Sequence, residues 1–346
     1  VAHGDYTPFV RFRADFSAVP GTPLRFDVSA DARFVLLIDG KEIARGPHKG
    51  VVNHWYYESY AVKGLTAGEH RLEAVVFDPG RKGALSILSS GKNGFILKAG
   101  GAYDAQLTTG KTVWRAAEIR TIHYGQKTDP DTMTGAETIS TGTGFLDAVP
   151  VAEAWTDAAI VRPAIRYDES RSEYGFYADG WTLFPTERPD PIAVRRTCGS
   201  VRAVTDAFDK TNGLYAAEDA ADARVAALQR LLGEGESFAV PSHAQMRFIW
   251  DLEDYACAYP ELVVSGGKGA QIRWSWAESL YGDESSDLPI EKLYLSKGNR
   301  NEFLGKCVLR SMDDRFVCDG RTLAKFTTPW WRSGRWVEIA VETADE

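Results

Sequence analysis

The chain has 346 residues, a net charge of −8 and an apolar content of 44%. That acidity, with no run of Lys and Arg, excludes a nucleic-acid binder, which needs clustered cations for phosphate. The apolar content excludes disorder, and no apolar run approaches the ~20 residues of a membrane-spanning helix.

A chain of this length exceeds one ordinary core and points to two domains. It opens on VAHGDYTPFV, without a basic region followed by an apolar one. A signal peptide is therefore either absent or already removed, and the compartment stays open. Short alternating runs fill the first half. PFVRFRADF (8–16) and LRFDVSA (24–30) read as strands. RFVLLIDGKEIARG (33–46) reads as a hairpin, because Asp39-Gly40 suits the two positive φ angles of a type I′ turn. HRLEAVVFD (70–78), GFILKAG (94–100) and TVWRAAEI (112–119) continue at regular spacing. This rhythm predicts a β-sandwich or jelly roll.

Residues 124–147, rich in Gly, Thr and Asp, are expected to form a long loop. LFPTERPDPIAV (183–194) carries three prolines and reads as a domain crossing, which sets the expected domains at 1–180 and 181–346. YAAEDAADARVAALQRLLG (215–233) carries a helical stripe of Val225, Leu228, Leu231 and Leu232, with Gly233 as the expected C-cap. It reads as one helix inserted into an otherwise β domain. Strands resume at 246–253, 261–266, 270–279, 306–320, 323–332 and 336–343, with a Gly-containing turn expected at WRSGR before the last. The fold class predicted is mainly β: two tandem β-sandwich or jelly-roll domains with one inserted helix.

Familiar chemical motifs are few. TTGKT (108–112) lacks the Gly a phosphate loop needs at 105, where Ala105 stands. No HExxH or GxSxG pattern occurs, and the cysteines at 198, 257, 307 and 318 are not in zinc-site spacing. Cys307 and Cys318 either pair across neighbouring strands or are free thiols. Asp129 and Asp131 are candidate oxygen ligands for calcium, weighed against solvated loop acids. No other metal or cofactor is expected. In HWYYESY (54–60), alternation places Trp55 and Tyr57 on one face and His54, Tyr56 and Glu58 on the other. Trp55, Tyr56 and Tyr57 are the candidate sugar-stacking residues, since the C–H faces of sugars lie on aromatic rings; the alternative is ordinary core packing. Asp251, Glu253 and Glu278 are the acids an internal active site would draw on, although nothing in their spacing marks a glycosidase pair.

Several segments in series resemble one family. LIDGKEIARGP (37–47), HWYYESYAV (54–62) and GEHRLEAVVFDPG (68–80) carry the resemblance in the first domain. GGKGAQIRWSWAESLY (266–281), KGNRNEFLGK (297–306) and FTTPWWRSGRWVEIAVETADE (326–346) carry it in the second. Together they resemble the N-terminal β-domains of bacterial α-L-rhamnosidases of glycoside hydrolase family 78, whereas 100–235 matches poorly. The resemblance implies galactose-binding-like and jelly-roll sandwiches ahead of an (α/α)₆ barrel that hydrolyses terminal rhamnose with inversion. It implies that the acids of that barrel match no position here, so no catalytic residue is carried over. The partners implied are a downstream catalytic domain of the same polypeptide and a rhamnose-containing glycan, with Arg332 and Arg335 near the interface to the barrel. A stand-alone glycan-binding module and a complete enzyme are the rival expectations.

Overall fold

A computed structural model describes residues 9–51, 54–80, 94–125, 137–161, 165–166, 182–188, 193–197, 199–207, 215–282, 297, 299–303 and 313–345. The calls at Asp129, Asp131, Cys198 and Cys307 lie outside these residues. The chain is mainly β and divides into two compact units. The first comprises 1–136 and 149–191; the second comprises 137–148 and 192–346.

In the first unit, β1 (Phe9–Ala18), β3 (Arg33–Ile38), β4 (Lys41–Gly46), β6 (Gly68–Phe77), β8 (Arg115–Glu118) and β11 (Thr156–Asp157) form one sheet in the order β11-β8-β1-β6-β3-β4. A second sheet is ordered β12-β13-β5-β2-β7. Its strands are β2 (Leu24–Asp31), β5 (Trp55–Val62), β7 (Gly94–Ala99), β12 (Ile165–Arg166) and β13 (Thr182–Pro185). A further short strand, β9, spans Ile122–Tyr124, and a single helical turn, α1, spans Asp104–Leu107. Alternation explains the core. Phe34, Leu36 and Leu72 from the first sheet meet Phe26, Val28 and Leu97 from the second in one buried cluster. Each such side chain contributes about 1.5–3 kcal/mol, more than the ~1 kcal/mol ceiling of an exposed ion pair. The β3–β4 turn forms as the sequence predicts, with φ of 51° at Asp39 and 77° at Gly40.

In the second unit the main sheet runs β14-β15-β20-β17-β18-β10. The strands are β10 (Thr138–Thr141), β14 (Ser200–Thr205), β15 (Gln245–Ala258), β17 (Gln271–Ala277), β18 (Asp313–Val317) and β20 (Arg332–Glu342). A two-stranded sheet pairs β16 (Glu261–Val264) with β19 (Ala324–Thr327). Phe248, Trp274, Phe316 and Val337 of the main sheet bury against Phe326 of β19 and Leu228 of α2 (Arg224–Glu234).

Four local expectations change. The stretch 124–147 contains β10, which pairs in parallel with β18 through Ile139, Ser140 and Thr141. Its TIST sequence carries a strand's β-branched residues but no alternating apolar signal. The helix over 215–233 starts only at Arg224, because Asp222 is extended (φ −60°, ψ 131°) and separates a 3₁₀ turn at Ala217–Ala221 from the helix. Its C-cap is Gly235, with φ 71°, while Gly233 lies inside the last turn. The Gly-containing turn expected before the last strand is strand as well. Gly334 pairs with Ala256 and Trp336 with Asp251, so β15 bulges by several residues between Asp251 and Ala256 opposite Arg335.

Candidate functional site

Two clusters of polar and aromatic side chains stand out, one in each unit. In the first unit, β13 adds in parallel to β5, with Leu183, Phe184 and Pro185 beside Trp55, Tyr56 and Tyr57. Register then decides which rings meet. His54 is exposed, and its ring stacks on Phe184 at 3.8 Å and 5° and meets Tyr56 edge-on at 5.2 Å. Two residues along β5, Glu58 points into the buried side of the sheet and is 3% exposed. Its Oε1 accepts the backbone N–H of His48 at 2.8 Å and lies 2.7 Å from His48 Nδ1. The Thr186 hydroxyl is 3.1 Å from the same Nδ1.

The sequence candidates separate here. Trp55 is buried, and its Nε1 donates to Ala30 O at 3.1 Å, so its ring presents no face to a sugar. Tyr56 and Tyr57 are half-buried. Sequence reading missed Thr186 and did not pair His48 with Glu58. Thr186 lies 138 positions from its partner, and only the β5–β13 pairing brings it there. His48 stood only ten positions from Glu58, and the polar alternation of HWYYESY is the signal that could have found the pair.

In the second unit, the acids named as alternatives for catalysis gather around the β15 bulge. Asp251 is fully buried and takes Arg335 on both oxygens, at 2.7 and 3.1 Å, and Arg202 at 2.8 Å. The Glu253 N–H donates to it as well, at 2.8 Å. Burial pushes the Asp251 carboxyl up, but the hydrogen bonds from Arg335, Arg202 and Glu253 outweigh burial and hold it below its ordinary value. Glu278 lies 2.6 Å from Lys297 and 3.2 Å from Arg300, and the Lys297 hydrogen bond holds it below its ordinary value despite partial burial. The partners of the two carboxyls meet in the 300–301 segment. Arg335 also donates to Asn301 at 2.7 Å, while Trp336 Nε1 donates to the carbonyl of Arg300 at 3.1 Å. Glu253 accepts the Ser200 hydroxyl at 2.5 Å. Asp251 and Glu278 are anions locked in ion pairs, and neither is poised to deliver a proton near neutrality. Arg332, the other arginine of the closing segment, grips Asp314 through two bonds of 2.6 Å.

Elsewhere, His70 Nδ1 sits 2.6 Å from Asp39 in the β3–β4 turn and its Nε2 sits 2.9 Å from Thr66 O. Cys318 is a buried free thiol, pushed up to about 11 by burial. No group of three or more metal-ligating side chains occurs among the described residues.

No protein-family model matches the chain, and no curated protein matches it. Among solved structures, a GH78 family rhamnosidase of Bacillus sp. GL1 aligns over 98% of this chain and 52% of its own length, at 11% identity and a TM-score of 0.58. An α-L-rhamnosidase from Aspergillus terreus aligns over 99% of this chain and 34% of its own, at 11% identity and a TM-score of 0.49. A Streptomyces avermitilis α-L-rhamnosidase complexed with L-rhamnose aligns over 97% and 28%, at 15% identity and a TM-score of 0.48. The chain thus spans about half the length of the Bacillus rhamnosidase and shares its β-sandwich fold over that span.

Proposed function

We propose that this chain is a non-catalytic β-sandwich region of an α-L-rhamnosidase-like glycoside hydrolase. It works beside a catalytic domain of the same polypeptide that removes terminal α-L-rhamnose with inversion. The observation that carries the reading is the fold likeness to the Bacillus rhamnosidase, which runs through 98% of this chain and half of that one. The chemistry of the acids supports the non-catalytic part. Inversion needs two carboxyls about 6.5–9.5 Å apart, one of them protonated near neutrality. A proton donor of that kind needs burial without a compensating cation. Asp251 has burial but two guanidiniums as well, and Glu278 has two cations. We assign to these units the role of scaffolding the catalytic domain.

The test is turnover of p-nitrophenyl α-L-rhamnoside by the purified chain, beside a version extended through the coding sequence that follows it. Turnover by the extended version alone is the expected result. Turnover by the chain alone, abolished by Glu278→Gln or Asp251→Asn, would place the acid pair inside these sandwiches and end the proposal. An extended version that cleaves some other glycoside would correct the substrate.

A further inference from the structure

No further inference is drawn: the strongest candidate, the cleft of about 520 Å³ beside the β3–β4 turn lined by Asp15, Asp39, Glu69, His70, Arg71 and Glu73, is a cluster of acids already bonded to Arg71, His70, Arg11 and Ser17, and no second feature of the structure points to a ligand there.

Discussion

Asp251 shows how a single residue can be costly to remove without being catalytic. Its side chain is 1% exposed, and Arg335 beside it is 12% exposed. Removing one partner of a buried pair leaves the other charge in low dielectric, at a cost of about 3–5 kcal/mol. Arg202 is 39% exposed and turns to water, so Asp251→Ala is expected near the lower end of that range. Urea unfolding of the variant, followed by Trp fluorescence, measures it through the midpoint at constant slope. His70 makes a different prediction, in pH. The hydrogen bond to Asp39 raises the His70 pKa above its ordinary 6.5, and the Thr66 carbonyl adds to this. The folded chain then binds the proton more tightly than the unfolded chain. The stability this gives is fully present below pH 6.5 and is lost as pH rises through the raised value. Asp39 runs the other way. The Arg71 N–H and His70 lower its pKa from 3.8, so its contribution is present above 3.8 and is lost as pH falls through the lowered value. In unfolding free energy, the advantage of the chain over His70→Gln should therefore be largest between these limits and shrink toward alkaline pH. An advantage that grows toward alkaline pH would refute the assignment of the proton.

Among the elements, β20 is the one whose neighbours leave least room. A Cβ on Gly334 would stand 2.5 Å from the carbonyl oxygen of Ala277 on β17. That contact is with backbone, which cannot swing aside. Gly334→Ala is expected to cost about 1–3 kcal/mol, as other overpacked sites do. Thermal unfolding of the variant, read as a drop in Tm, checks this. The same strand shows what was legible in the sequence. WVEIAVET alternates cleanly and reads as strand, but Ser333–Arg335 reads as a turn because of its glycine. That glycine is there for close approach to β17 opposite the β15 bulge, a demand that appears only when three strands are side by side. The Asp39-Gly40 hairpin was legible because all of its cause is local. Strand β10 was not, since its partner β18 lies more than 170 residues away. The first-unit cluster was half legible. The β5 sequence drew attention to the right strand, but the large rings outweighed Glu58, whose partner His48 arrives by a tight loop and is met in turn by Thr186, just after β13.

At the scale of the whole molecule, the path of the chain matters more than any one contact. It leaves the first unit at 136, spends residues 137–148 in the second, returns at 149 and crosses again after 191. The excursion is anchored: Gly142 N–H donates to Val317 O at 2.8 Å and Gly144 N–H to Lys325 O at 2.8 Å, while Thr138 N–H donates to Asp314 at 2.9 Å. Fragment 192–346 would therefore lack β10 and present β18 as an unpaired edge, an invitation to strand–strand association. Fragment 1–191 holds every residue of its own unit. The expected result is a soluble, cooperatively unfolding 1–191 and an aggregating 192–346, rescued by adding a 137–148 peptide; size-exclusion chromatography separates the outcomes.

The anchored excursion also bears on how such a chain can be inherited. A gene segment bounded by one crossover can carry the first unit into a new protein with nothing missing. It cannot do so for the second, whose twelve-residue outpost is encoded inside its neighbour. Shuffling that separates the two would leave a sheet one strand short, so selection should pass them on together, as a single heritable block. Among descendants, the first unit is then the one to look for in unrelated company, and the second should rarely be found without it.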